Sequence, residues 1–198
     1  MDIRSIIRPI IVALVSIGLI ILVIVLIVQG FSGGGPDTTT KRVDVSKYAY
    51  RSAIAMLLVD GPINLDQDHR QVRISVSGTI NEINIIQGYQ GTVIERRTYP
   101  NNTAGYGAFL QALQLLGFSR GVKLEAAANK DYRGQCPAGS RYTYSFSDGQ
   151  DELFSYWSTS CGNQGTFRGQ PSQVRQLFER QIPPRELNKL LGGVKVNM

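Results

Sequence analysis

Thiol or imidazole chemistry in this 198-residue chain must run through Cys136, Cys161 and His69, because the sequence holds two cysteines and one histidine in all. A cysteine transpeptidase acting on cell wall needs a histidine beside its thiol to form the thiolate. Cys161 instead follows Ser158-Thr159-Ser160, and His69 lies far away in the polar, acidic run Asp66 to Gln71, where a solvated side chain opening a strand is expected. A Ser-His-Asp hydrolase needs an activated serine, and Ser140, in Ala138-Gly139-Ser140-Arg141, is not set in a GxSxG turn. Glu95, Glu125, Asp148, Asp151 and Glu152 could supply carboxylates for glycoside hydrolysis, but nothing in their spacing selects a pair. Asp148, Asp151 and Glu152 around Gly149 do not match an EF-hand loop and read as a solvated turn. With two cysteines, one histidine and neither CxxC nor HExxH, a four-ligand zinc site of the usual type cannot be supplied, and no structural metal is expected. The expectation is no catalytic set, no metal and no cofactor.

Cys136 and Cys161 flank a tyrosine-rich hairpin, and the economical reading is a disulfide formed in an oxidising compartment. Closing that loop contributes about 3.5 kcal/mol in the chain-entropy treatment. Within the hairpin, Tyr142, Tyr144 and Phe146 share one face of a strand. Phe154 and Tyr156 share one face of the next, with Trp157 opposite. Most of these rings are expected in a sheet core. Trp157, Tyr142, Tyr144 and Tyr156 are also the candidate ligand surface, since such rings stack on sugars or peptides.

The elements that must position these residues begin with an apolar run. Ile10 to Val28 carries no charged side chain and is interrupted only by Ser16 and Gly18. As a helix it covers about 30 Å, the thickness of a bilayer's hydrocarbon core. A signal peptide has a shorter apolar core and a small-residue cleavage site, whereas this run ends at Val28-Gln29-Gly30, so an uncleaved anchor is expected. No cysteine follows for a lipoprotein anchor, and the acidic residue that type IV pilins place near the start of their hydrophobic helix is missing. Arg4 and Arg8 put residues 1–9 in the cytoplasm by the positive-inside rule, and residues 41–198 outside. Residues 29–40, QGFSGGGPDTTT, read as a flexible linker with little to bury.

Residues 41–198 suffice for one compact domain. Apolar spacing of three and four predicts a first helix over Val45 to Val59, capped by Asp44 and stopped by Asp60-Gly61-Pro62. Val72, Ile74, Val76 and Ile80 alternate as a strand, and two more strands follow near Glu82 to Gln87 and Gly91 to Tyr99. A helix with Tyr106, Phe109, Leu110, Leu113 and Leu116 on one stripe ends at Gly117. The strands of the tyrosine-rich hairpin, about Tyr142 to Phe146 and Leu153 to Thr159, turn at Asp148-Gly149. A third helix opens at Pro171-Ser172 and stops at Pro183-Pro184, with a short turn through Leu187, Leu190 and Leu191. The fold class is therefore α+β: an N-terminal transmembrane helix, then a two-layer domain with an antiparallel sheet and helices on one face. Gly88-Tyr-Gln-Gly-Thr-Val93 is echoed by Gly162-Asn-Gln-Gly-Thr-Phe167.

The run Cys136-Pro137-Ala138-Gly139-Ser140-Arg141-Tyr142-Thr143-Tyr144 is followed by Trp157-Ser158-Thr159-Ser160-Cys161-Gly162, then by Gly165-Thr166-Phe167 and a Leu177-Phe178 helix ending in Gln181-Ile182-Pro183. Together these resemble a pattern in small single-pass envelope proteins of reduced-genome, candidate-phylum bacteria. The resemblance covers about the last third of the domain and implies a bacterial source and a paired Cys136 and Cys161. It implies no activity.

The net charge is +6, and +5 remains once Asp2, Arg4 and Arg8 are set aside. The cations are scattered, with Lys41-Arg42 and Arg96-Arg97 the adjacent pairs, so no nucleic-acid stripe is formed and no specific nucleic-acid recognition is expected. The function expected is a membrane-anchored, extracytoplasmic, non-catalytic binding or envelope-structural role. Its partners are the bilayer through residues 10–28 and an envelope protein or anionic surface polymer. The alternatives are a hydrolase or transpeptidase acting on wall material and a surface binder of DNA or another anionic polymer, whose affinity would fall steeply with salt.

Overall fold

The computed structural model describes residues 42–122, 133–162 and 165–192. The transmembrane segment at 10–28, the linker at 29–40 and Glu125 lie outside the described residues. Among those described, no helix is long and apolar enough to cross a membrane.

Six antiparallel strands form one sheet in the order β4-β3-β2-β1-β5-β6. They are β1 (Ala53–Asp60), β2 (Arg70–Ser77), β3 (Ile80–Gln87), β4 (Thr92–Pro100), β5 (Arg141–Asp148) and β6 (Asp151–Thr159). β1 is the centre, pairing Leu57 with Ile74 on one side and with Tyr144 on the other. Side chains alternate across a strand, so this register stacks Ala55, Leu57 and Val59 beside Val72, Ile74, Val76, Tyr142, Tyr144 and Phe146 on one buried face.

That face is covered by helices α1 (Thr103–Leu115), α2 (Pro171–Glu179) and α3 (Pro184–Leu191). Tyr106, Phe109, Leu110 and Leu113 of α1, Val174 and Phe178 of α2, and Leu190 of α3 join the strand side chains in one core. Asn102 caps α1 by accepting from the Gly105 N–H at 2.8 Å. Gly117, at φ 74°, ends it as the sequence predicts, and the Phe118 N–H returns to the Leu113 carbonyl at 3.0 Å. Phe118 is thereby folded into the core, edge-on to Phe154 at 5.3 Å between ring centroids. The α+β class holds, with the helical layer on one side of the sheet among the described residues.

The first predicted helix is corrected. Asp44 does cap, its carboxylate accepting from the Ser46 N–H, but the element it starts is a 3-10 turn, Val45–Tyr48. Ala53–Asp60 is the central strand instead. Every residue from Ala53 to Val59 is apolar, so helical and alternating periods both fit. Pairing decides between them: β2 and β5 each offer a ladder to this segment, and a strand satisfies both. Asp60-Gly61-Pro62 therefore closes a strand and not a helix. Ile80 also moves, opening β3 after the Gly78-Thr79 turn.

Candidate functional site

β1 ends in a charge. Asp60 follows the apolar run of the central strand and is 7% exposed. Register places Arg141, the first residue of β5, directly opposite, and the arginine is completely buried. Arg141 donates from Nε and a terminal nitrogen to Asp60 Oδ2 at 3.1 and 2.9 Å, and to the Gly61 carbonyl at 2.9 Å. A fork on one carboxylate is the geometry that arginine's planar donors favour.

His69, the residue before β2, completes the cluster and corrects the expectation of a solvated side chain, since it is fully buried. Its Nδ1 lies 3.1 Å from the Pro62 carbonyl, which can only accept, so Nδ1 carries the hydrogen. Nε2 stands 2.8 Å from Asp60 Oδ1 without forming a hydrogen bond. The Tyr89 ring lies flat on the imidazole, 4.1 Å between centroids and 17° between planes. Beneath that ring the imidazole has no exposed surface. The polar composition of Asp66 to Gln71 conceals this, because the groups packed around the ring, the Pro62 carbonyl and the Tyr89 ring, come from outside that run.

Two loops are tied down on the cluster. The Tyr89 hydroxyl takes the Asn64 N–H at 3.1 Å and donates to the Asn64 carbonyl at 2.9 Å. The Tyr89 N–H donates to Asp66 Oδ1 at 2.7 Å. Gly88 is required here twice over: its φ is 73°, and a β-carbon would sit 3.0 Å from the Asp66 carboxylate. A third loop joins when the Ile63 N–H donates to the Pro137 carbonyl at 2.8 Å. Pro137 follows Cys136, whose disulfide to Cys161 spans 5.8 Å between α-carbons. Ser140 and Ser160 reinforce the same junction through two 2.9 Å backbone donors, the Ser160 N–H to the Ser140 carbonyl and the Ser140 N–H to Ser160 Oγ.

This end of the sheet thus places Ile63 (45% exposed), Leu65 (67%) and Tyr89 (40%) on backbone pinned from below. Ile63 and Leu65 flank Asn64, the residue that Tyr89 clamps, so their positions follow from buried polar contacts.

The candidate ligand surface lies elsewhere. Tyr142, Tyr144 and Tyr156 are buried in the helix-facing core and Trp157 is buried on the opposite face, so none presents its ring to solvent. Tyr144 stacks on Phe167 at 4.2 Å between centroids, and its hydroxyl lies 3.2 Å from Ser158 Oγ. Burial pushes that hydroxyl up to about 12, against the opposing effects of the Ser158 hydrogen bond and the Arg175 charge. Arg175 itself lies over the Tyr142 ring at 4.2 Å. Asp148, among the carboxylates weighed above, pairs with Arg51 at 3.1 Å.

A shallow groove of about 190 Å³ on the helix-free face is lined by Ile54, Ser75, Ser77, Ile80 and Glu82. Two of its polar side chains are engaged within the chain: Ser77 Oγ donates to the Ile80 carbonyl at 2.9 Å, and Glu82 accepts from Asn84 at 2.6 Å. Among the described residues, no three His, Cys, Asp or Glu side chains converge to hold a metal ion. Neither the protein-family models nor the curated proteins searched match this chain.

Proposed function

We propose that this protein is anchored in a bacterial cell membrane by residues 10–28, with residues 1–9 cytoplasmic, and that its extracytoplasmic domain docks another envelope protein without catalysis. The carrying observation is the loop end just described, where Ile63 and Leu65 are exposed on backbone held by the buried Asp60, His69 and Arg141. Preorganised loops lose little entropy on binding, and two apolar side chains on such loops act as anchors for a complementary pocket. The Cys136–Cys161 disulfide supports the compartment, since such bonds persist where the surroundings are oxidising. The one histidine is spent on holding this surface in shape.

The reading is tested by placing a photo-crosslinking amino acid at position 65 in the full chain and irradiating intact cells. A discrete protein adduct that Ile63→Ser removes, with the disulfide still formed, is expected. No adduct, or an adduct indifferent to Ile63→Ser, overturns the docking surface. Alkaline extraction of the full chain from membranes overturns the anchor separately.

A further inference from the structure

The two edges of the sheet are finished differently. Beyond β6, the Phe167 N–H donates to the Trp157 carbonyl and the Trp157 N–H to Thr166 Oγ1, both at 2.9 Å, and Val122 in turn bonds to Thr166. Beyond β4 no described residue pairs, although β4 is nine residues long and mostly exposed. An uncovered edge of that length offers its backbone groups to any other strand.

The side chains of β4 restrict which strand can accept. A bulge opposite Ile85 and Ile86 leaves Glu95 to Pro100 in regular register, and this stretch begins Glu95-Arg96-Arg97. Glu95 and Arg97 point to the same side, and within one chain they already meet at 2.9 Å. A two-fold axis perpendicular to the sheet allows antiparallel self-pairing centred on a single residue. Centred on Glu95 it sets glutamate against glutamate, and centred on Arg97 it sets arginine against arginine. Centred on Arg96 it sets Glu95 of each copy against Arg97 of the other, twice. Arg96 then faces its own counterpart, but each is drawn to its own chain, with Nε 3.0 Å from Asn84 Oδ1 and 3.8 Å from Glu82 Oε2. Opposite charges facing across strands stabilise and like charges destabilise, so of these three registers the one centred on Arg96 is favoured and the other two are opposed.

We propose that the occupant of this edge is a second copy of the same chain, pairing β4 to β4 about Arg96 to make one continuous twelve-stranded sheet. This contact is separate from the loop end and stands without it.

The test uses the full chain in mild detergent, with two fluorescent labels on separate preparations, and reads energy transfer against concentration. Unsubstituted protein should self-associate, less tightly as salt rises. Glu95→Arg alone and Arg97→Glu alone should each weaken association roughly tenfold or more, since two attractive pairs become repulsive. Mixing the two variants should restore association, because every facing pair is then opposite in sign. Neither single variant keeps the Glu95–Arg97 contact within its own chain, so restoration cannot arise from that contact. Three results overturn the proposal: no self-association up to about 100 μM, association unchanged in both single variants, or a mixture no tighter than either variant alone.

Discussion

Replacing Asp60 by asparagine tests whether the buried charges hold the loop end in place. The carboxylate takes two guanidinium donors, at 3.1 and 2.9 Å, and stands 2.8 Å from His69. Asparagine keeps the shape but removes a carboxylate charge paired with a fully buried arginine. It also turns an amide NH₂ toward a neighbour. Breaking a buried ion pair from one side costs about 3 to 5 kcal/mol, and the lower end applies because Asp60 is slightly exposed and the Gly61 carbonyl still accepts from Arg141. At a urea slope of about 2 kcal/mol per molar, a loss of about 3 kcal/mol lowers the unfolding midpoint by about 1.5 M. The assay is urea unfolding of the full chain with its disulfide intact, followed by fluorescence of Trp157, the single tryptophan, which is buried on β6. A double variant, Asp60→Leu with Arg141→Met, should lose less than the sum of its parts, because the two side chains contact each other directly and their losses are coupled. A midpoint shift below about 0.5 M for Asp60→Asn, worth about 1 kcal/mol, would refute a stabilising role for the Asp60–Arg141 pair.

Replacing both Cys136 and Cys161 by serine should cost about 3.5 kcal/mol if the entropy of the 25-residue separation dominates. Parallel thermal unfolding of the two proteins measures it, and a change under about 1 kcal/mol would mean that the Ser140–Ser160 bonds already do the disulfide's task. Burial raises the Tyr144 hydroxyl from its ordinary value of 10 to about 12 and also raises that of Tyr106. The folded state therefore holds these protons more tightly than the unfolded chain does. The stability they confer is complete below pH 10 and is lost as pH climbs from 10 toward 12. Phenolate absorbance from these rings should appear together with loss of near-ultraviolet circular dichroism, and complete ionisation near pH 10 with that signal intact would contradict their burial.

Much of the architecture follows from local signals. Asn102, Gly117, Pro171 and the Asp148-Gly149 turn act within a few residues, so the boundaries they set are visible without knowing what packs where. The alternation in Val72 to Val76 and Tyr142 to Phe146 likewise marks one buried face, whatever the neighbours. Ala53 to Val59 carries no such decisive pattern. A wholly apolar segment is compatible with helix and strand alike, and only the two flanking ladders of the completed sheet choose between them.

The loop end was hidden for the same reason. Asp60, His69, Tyr89 and Arg141 are strung over most of the domain, and each is ordinary where it stands in the chain. A buried charge can be recognised only from the opposite charge delivered to it, and here that delivery depends on the β1–β5 register. Composition and spacing settled the α+β class and most of the secondary-structure boundaries. Which polar residues left water, and which apolar ones stayed in it, was decided by long-range pairing, because desolvation depends on what the rest of the chain brings alongside.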